Sequence, residues 1–352
     1  MEFKINKNLI GSQHRTYIIA ELSANHNHDF DIAVKTIEAA KKAGADAIKL
    51  QTYTADTITI DSDNEHFKLK DGLWQGRTLY NLYQEAYTPW EWQPKLKQVA
   101  EEQGLDCFSS PFDFTAVDFL EKMNVPAYKI ASFEITDIPL IAYAAEKGKP
   151  MIISTGIARL SDIELAVNTC KKAGNHQIAL LKCTSAYPTP LNEVNLANIP
   201  TLARTFGTVI GLSDHTLTTA IPVAAVTLGA RIVEKHLILD KNLGGPDAAF
   251  SLNPQEFSEM VASIRQVEEA IGQNNYEYNK KMENSRKLSK SIFVVKDIKK
   301  GETFSTENIK VIRPGYGLHP SHYYEVLKKQ AAHNLEKGTA LDWDFIFKNK
   351  EL

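Results

Sequence analysis

The chain has 352 residues, 43% of them hydrophobic and 24% charged, which suits one barrel-sized domain plus a small module with an ordinary soluble surface. A formal net charge of -3 argues against a nucleic-acid-binding face. No stretch approaches the roughly 18 apolar residues of a membrane span, and Met1 to Arg15 lacks a signal-peptide core, so the cytoplasm is the expected compartment. The three cysteines, Cys107, Cys170 and Cys183, are too few and too irregularly spaced for a disulfide framework or a zinc cluster, and read as reduced thiols.

From Tyr17 to about Ile271, short apolar runs alternate with helical patterns, the signature of parallel strands joined by crossover helices. Eight strands are expected: Tyr17–Glu21, Ala47–Gln51, Asp106–Ser109, Ala127–Ala131, Met151–Ser154, Ile178–Cys183, Val209–Ser213 and Arg231–His236. Helices are expected at Asp31–Ala43, Pro94–Gln103, Thr115–Met123, Ser161–Ala173 and Pro254–Ile271, with Asp31 and Ser161 as N-caps and Gly44, Gly104 and Gly174 closing three of them. An amphipathic helix is expected between the last two strands. This count predicts a (β/α)8 TIM barrel over residues 1–275, with a doubly wound sheet as the alternative. The polar stretch Gly272 to Leu288 reads as a linker, placed at 276–288. Short strands with Gly turns then predict a small β-rich module at 289–352.

In such a barrel the active site lies at the C-terminal strand ends, and polar residues gather there. Glu21 ends the first strand, Lys49 and Gln51 share a face of the second, and Ser109-Ser110 end the third. Lys129, Ser132 and Glu134 follow from the fourth, Ser154 from the fifth, and Thr184, Ser185 and Tyr187 from the sixth. Two lysines among several hydroxyls suit a small phosphorylated anion. An individual Ser or Thr after a strand is more often a cap or turn residue. Lys49 and Lys129 stand out because each interrupts an apolar strand, where an unpaired ammonium is costly. A bound anion would offset that cost, as would plain pairing with Glu21, Glu134 or Glu234. The last two strands end in Gly-Leu-Ser-Asp-His (Gly211–His215) and Ile-Val-Glu-Lys-His (Ile232–His236), so His215 and His236 can point into one mouth and hold a divalent ion. A lone structural histidine is the plain alternative at each position.

With these residues in view, the chain resembles the sialic acid synthase family, specifically its pseudaminic acid synthase branch. The resemblance rests on Ile19-Ala20-Glu21 with Asn25-His26-Asn27, Lys49-Leu50-Gln51-Thr52, Ser109-Ser110-Pro111-Phe112, Tyr128 to Ser132, Tyr187 to Pro190, Gly211 to Thr216, Glu234-Lys235-His236, Gly245-Pro246-Asp247 and Arg313-Pro314-Gly315. It implies that the final module is an antifreeze-like (SAF) domain. It also implies condensation of phosphoenolpyruvate with an open-chain N-acetylated amino sugar, with carbon–oxygen cleavage and release of phosphate. By motif matching, His215 and His236 bind a divalent ion, manganese or alternatively magnesium or cobalt. Lys49, Ser110, Lys129, Ser132, Ser154 and Ser213 surround phosphoenolpyruvate with Ser185 nearby, and Gln51, Tyr187, Asp247 and Arg313 face the sugar. Glu21, Glu134 and Glu234 are the acid–base candidates. The family precedent further implies a domain-swapped homodimer in which Arg313 acts on the partner's site.

Departures from the family pattern bear on the sugar. Enzymes for N-acetylneuraminic and legionaminic acids typically read Gly-Pro-Asp-His, whereas this chain reads Gly245-Pro246-Asp247-Ala248-Ala249-Phe250, and their Cys-Thr-Asn is Cys183-Thr184-Ser185 here. An apolar wall suits a 6-deoxy sugar, so the expected substrate is 2,4-diacetamido-2,4,6-trideoxy-L-altrose, with the N-acetylneuraminic and legionaminic chemistries as alternatives. Two other classes compete. A Schiff-base aldolase using Lys49 or Lys129 would be trapped by borohydride; a carbohydrate- or ice-binding protein would use the last module and leave the barrel mouth unexplained.

Overall fold

A computed structural model describes residues 2–347. Two strands precede the barrel, β1 (Glu2–Ile5) and β2 (Asn8–Gly11). Eight build it: β3 (Tyr17–Glu21), β4 (Ala47–Thr52), β5 (Asp106–Pro111), β6 (Tyr128–Ile130), β7 (Met151–Ser154), β8 (Ile178–Cys183), β9 (Val209–Asp214) and β10 (Ile232–His236). Each is parallel to the next, and β10 pairs with β3 to close the ring, which excludes the open doubly wound sheet. Every residue of β3 to β10 except Gln51 is buried. One strand face fills the barrel and the other meets the helices, so the apolar runs are nearly continuous rather than alternating.

Two helix details differ from expectation. The helix Phe30–Lys42 is capped by Asp29, whose carboxylate accepts from the Asp31 and Ile32 N–H groups, so Asp31 lies inside the first turn. The helix Leu160–Lys172 starts ahead of Ser161, with Arg159 at the cap position and the Asp162 carboxylate accepting the Arg159 N–H at 2.8 Å. Between β9 and β10 the helix is Ala220–Thr227, whose Ile-Pro-Val-Ala-Ala-Val run makes it apolar all round rather than amphipathic. It packs on Pro254–Ile271.

The antiparallel hairpin β1–β2 belongs to no expected element. It buries Phe3, Ile5 and Ile10, while Asn6 and Asn8 donate to Asp106 at 2.8 and 2.7 Å, and the Tyr17 hydroxyl donates to the same carboxylate at 2.6 Å. Asp106 opens β5, so these bonds hold the hairpin at the N-terminal end of the strands. The opposite end carries the chemistry.

The chain divides into two compact units, the second beginning at Gln273. In that unit β11 (Ser291–Val294) and β12 (Ile309–Ile312) pair antiparallel, and their core includes Ile292, Val294, Phe304, Ile309 and Val326. The stretch expected as a linker holds a helix, Lys280–Arg286, capped by Asn279, whose side chain accepts the Met282 N–H at 2.9 Å. An Asn cap before Lys-Lys-Met-Glu is a helix start that polarity alone had disguised. Among the described residues no helix is long and apolar enough to cross a membrane.

Candidate active site

Residues paired across parallel strands point the same way, so register brings the expected side chains together. Glu21 lies opposite Lys49, Gln51 opposite Ser110, and Glu234 opposite Ser213. Lys49 forms an ion pair with Glu21, stands 3.8 Å from Glu234, and donates to Ser110 at 3.2 Å. Lys129 stands 3.4 Å from Glu234, which accepts from Ser213 at 3.2 Å. Gln51 donates to Glu21 at 3.3 Å and to Ser23 at 2.8 Å. The two lysines are thus neutralised by Glu21 and Glu234. Glu134 is not among their partners; it lines the open space above, and its Oε2 has no hydrogen-bond partner.

The three glutamates divide by environment. Burial pushes Glu21 up to about 7 against the pull of Lys49, with Glu234 adding to the rise. Burial likewise lifts Glu134 to about 7. Glu234 is just as buried, yet Lys129 and Lys49 hold it below the ordinary carboxylate value and keep it ionised. Between the lysines, burial outweighs Glu234 and lowers Lys129, whereas Glu21 and Glu234 overcome burial and raise Lys49. Two carboxyls poised near neutrality beside a fixed carboxylate have the chemistry that general acid–base catalysis needs.

His236 ends β10 and His215 follows β9, with ring centroids 5.4 Å apart. The His215 Nδ1 lies 3.1 Å from the Thr184 carbonyl; donating there fixes the tautomer and frees Nε2 to ligate. His236 is held well below its ordinary value, by burial and by the neighbouring His215, and is therefore neutral. Its Nδ1 has no hydrogen-bond partner, and Asp247 Oδ2 stands 3.6 Å away. Among the described residues no three His, Cys, Asp or Glu side chains are grouped to hold a metal. Cys183 and the Thr184 carbonyl outweigh burial and raise His215 above its ordinary value, so an ion bound there competes with its proton. The two convergent imidazoles fit an ion whose other positions belong to water and substrate.

Above this floor lies a cavity of about 320 Å3. Its polar side includes Ser132, Glu134, His236 and Asp247, the last raised by burial. Beside Ser132, the Gly156 N–H donates to the Ser132 hydroxyl at 3.1 Å, and a Cβ on Gly156 would collide with Ser132 and Ser185. The Ser154 and Ser185 hydroxyls are buried without partners. The apolar side is aromatic: Phe250 lies 4.9 Å from His236 and 5.0 Å from Tyr187, and Tyr53 lies 5.0 Å from Phe112. Trp74 donates its indole N–H to the Pro246 carbonyl at 3.1 Å and tilts over Tyr187. Tyr53, Trp74 and Tyr83 were missed by sequence reasoning. All three come from the long segment between β4 and the helix Gln93–Glu102, and its length, unusual for a structureless connection, was the available signal. Of the expected site residues, only Arg313 lies in the second unit, exposed in its Arg-Pro-Gly turn.

Residues 36–276 match the NeuB family and residues 289–346 match the SAF domain. The chain is 47% identical over 327 residues to a pseudaminic acid synthase of Campylobacter jejuni, covering 93% of this chain and 95% of that one. It is 36% identical over 341 residues to an N,N'-diacetyllegionaminic acid synthase of Legionella pneumophila, covering 96% of each. A crystal structure of N-acetylneuraminic acid synthetase from Leptospira borgpetersenii, in complex with citrate, superposes with a TM-score of 0.73 at 31% identity, covering 81% of this chain and 95% of that one.

Proposed function

The chain belongs to the NeuB family, and from that premise we propose that it condenses phosphoenolpyruvate with 2,4-diacetamido-2,4,6-trideoxy-L-altrose to give pseudaminic acid and phosphate. The higher identity to a pseudaminic acid synthase than to a legionaminic acid synthase supports the branch. One observation carries the chemistry: Glu21, Lys49, Lys129 and Glu234 form one buried charged floor beneath a cavity with an aromatic wall. The floor suits a compact anion, and the wall suits acetamido and methyl groups of a deoxy sugar.

Lys49, Lys129, Ser110, Ser132, Ser154, Ser185 and Ser213 surround phosphoenolpyruvate, whose anionic groups replace Glu21 and Glu234 as partners of the lysines. Gln51, Tyr187 and Asp247 hold the sugar with its aldehyde carbon toward carbon 3 of phosphoenolpyruvate. As that carbon–carbon bond forms, the aldehyde oxygen takes a proton from Glu134, which burial keeps protonated up to about pH 7. Carbon 2, now cationic, takes the oxygen of water while Glu21 accepts the water proton. The carbon 2–oxygen bond to phosphate then breaks as the new carbon 2 hydroxyl passes its proton to the departing phosphate, which leaves the ketone, and the lysines stabilise the leaving group. His215 and His236 would hold a divalent ion, manganese or in its place magnesium or cobalt, which supplies Lewis-acid polarisation of the sugar carbonyl when bound.

Phosphate release with a panel of amino sugars tests the reading. The altrose should outperform N-acetylmannosamine by at least about tenfold, a modest pocket effect, and equal or better turnover of N-acetylmannosamine overturns the branch. A homodimer in which Arg313 serves the partner's site is also proposed. Mixed Arg313→Ala and Glu21→Ala chains should regain part of the activity, and proven subunit exchange without recovery rules this out.

A further inference from the structure

A second cavity, of about 540 Å3, lies behind the ends of β7 and β8, where the helices Leu160–Lys172 and Asn198–Phe206 begin. Alternation along β8 turns Cys183 toward the barrel mouth and Lys182 outward into this space. Lys182 is only 8% exposed. Its ammonium donates to the Cys183 carbonyl and, at 3.1 Å, to the Thr184 hydroxyl, both neutral. Among the described residues no carboxylate lies within 4 Å of it, unlike Lys49, Lys129 and the buried Lys235. The one acidic residue in the lining, Glu193, is exposed at the rim. A buried ammonium without a counter-charge is costly, and an anion relieves that cost. The helix Leu160–Lys172 presents its N-terminus here with no side chain capping its first N–H groups, so its positive dipole end adds to the lysine, whereas in Asn198–Phe206 the Asn198 and Ile199 N–H groups are already taken by the Asn195 and Leu196 carbonyls. Leu160, Ile163 and Leu202 complete the wall with apolar surface.

We propose that this cavity is a second binding site, separate from the reaction mouth, for a monosaccharide-sized molecule carrying a carboxylate or phosphate. The volume falls in the usual range of small-molecule pockets and exceeds the needs of a bare phosphate ion. Its ligand is held by Lys182, the Thr184 and Thr201 hydroxyls and the first-turn N–H groups of Leu160–Lys172, with the sugar-sized body on the leucines. The wall is shared with the mouth: the Thr184 carbonyl faces His215, and the Gly156 N–H donates to Ser132. Occupancy therefore alters turnover without competing with phosphoenolpyruvate. A sugar acid such as the one formed at the mouth has the required chemistry, which would make the site a feedback device. The cavity stands independently of the proposed reaction, but this choice of probe rests on it.

Calorimetric titration of the full-length metal-loaded protein with pseudaminic acid, and separately with inorganic phosphate, tests the site without turnover. Two equivalents of pseudaminic acid should bind per chain, and Lys182→Gln should weaken one of them at least about tenfold, as expected for a lost charge-assisted contact, while leaving the KM for phosphoenolpyruvate unchanged. Should Lys182→Gln fail to fold, Thr201→Glu, an exposed first-turn position where a carboxylate is well tolerated, places a repelling charge in the same wall and should give the same loss. Retention of the second equivalent by the folded variant overturns the assignment. A single equivalent in the parent does so as well, and a second equivalent seen with phosphate alone refutes the monosaccharide class. Because binding is read directly, failure of the proposed reaction would show in the activity panel and not here.

Discussion

Replacing Glu234 by Gln keeps the shape of the side chain and its bond from Ser213, but removes the carboxylate that both lysines share. With an effective dielectric near 20, unit charges at 3.4 and 3.8 Å attract by about 5 and about 4 kcal/mol. Desolvating the carboxylate costs several kcal/mol in return, so the net loss should fall near the lower end of the roughly 3–5 kcal/mol seen when one partner of a buried pair is removed. The lower end applies because Lys49 retains Glu21. Urea unfolding at pH 7, followed by far-ultraviolet circular dichroism, should show the barrel transition of the variant about 3 kcal/mol weaker. Phosphoenolpyruvate should narrow that gap, since it supplies the anion the lysines have lost and so binds the variant no less tightly than the parent. The pH dependence has a definite sign. Glu234 is depressed in the folded state, so its contribution is present above the ordinary carboxylate value of 4.5 and is lost as pH falls through the depressed one. Parent and variant should therefore converge on acidification below 4.5. A variant within about 1 kcal/mol of the parent at pH 7, or a gap that widens in acid, would refute the claim that Glu234 holds the charged floor together.

Glu21 and Glu134, both raised to about 7, should give a bell-shaped pH–rate profile centred near neutrality, with Glu134→Gln removing the alkaline limb; an unchanged profile would dismiss Glu134 as the acid. Their stability effect has the opposite sign to that of Glu234: the folded state holds protons the unfolded chain has released, so these two groups lower stability as pH rises from about 4.5 to about 7. Trp74→Phe keeps a ring but loses the bond to the Pro246 carbonyl, and should raise the sugar KM about fivefold, the worth of one hydrogen bond, with Trp74→Ala larger still and the phosphoenolpyruvate KM unmoved in both. Equal rises in both KM values would deny the wall its role in selecting the sugar. His236→Ala should weaken manganese binding at least about tenfold by calorimetry without unfolding the barrel, because the residue lies at the strand ends and lines the mouth rather than the packed barrel layers; unaltered affinity would remove it from the metal site.

The barrel and its charged floor were legible because both follow from strand periodicity. A parallel strand buried on two faces reads as a short apolar run, and a lysine inside such a run, as at Lys49 and Lys129, marks an inward position that needs a partner. Which partner it has is a matter of register. Nothing in the linear spacing says that Glu234, rather than Glu134, stands between the two lysines, since Glu134 lies closer to Lys129 in sequence yet points into the cavity. The hairpin β1–β2 was hidden for another reason: its strands have four residues each and are held through Asp106, far along the chain.

The segment from Tyr53 to Trp92 was the hardest to read, and it is the part that shapes the sugar side of the cavity. Its helices Ala55–Ile58 and Leu79–Ala86 are short and supply little period, so its aromatics had no face to which they could be assigned. Tertiary contacts assign them. Trp74 is positioned by the Pro246 carbonyl, next to the Asp247-Ala248-Ala249-Phe250 stretch whose apolar character had already suggested a deoxy sugar. Two segments far apart in sequence therefore meet over one substrate pocket, while the floor beneath is built from strand ends alone. Sugar choice can then change through these two segments while the acid–base and anion-binding groups stay fixed on the rigid barrel.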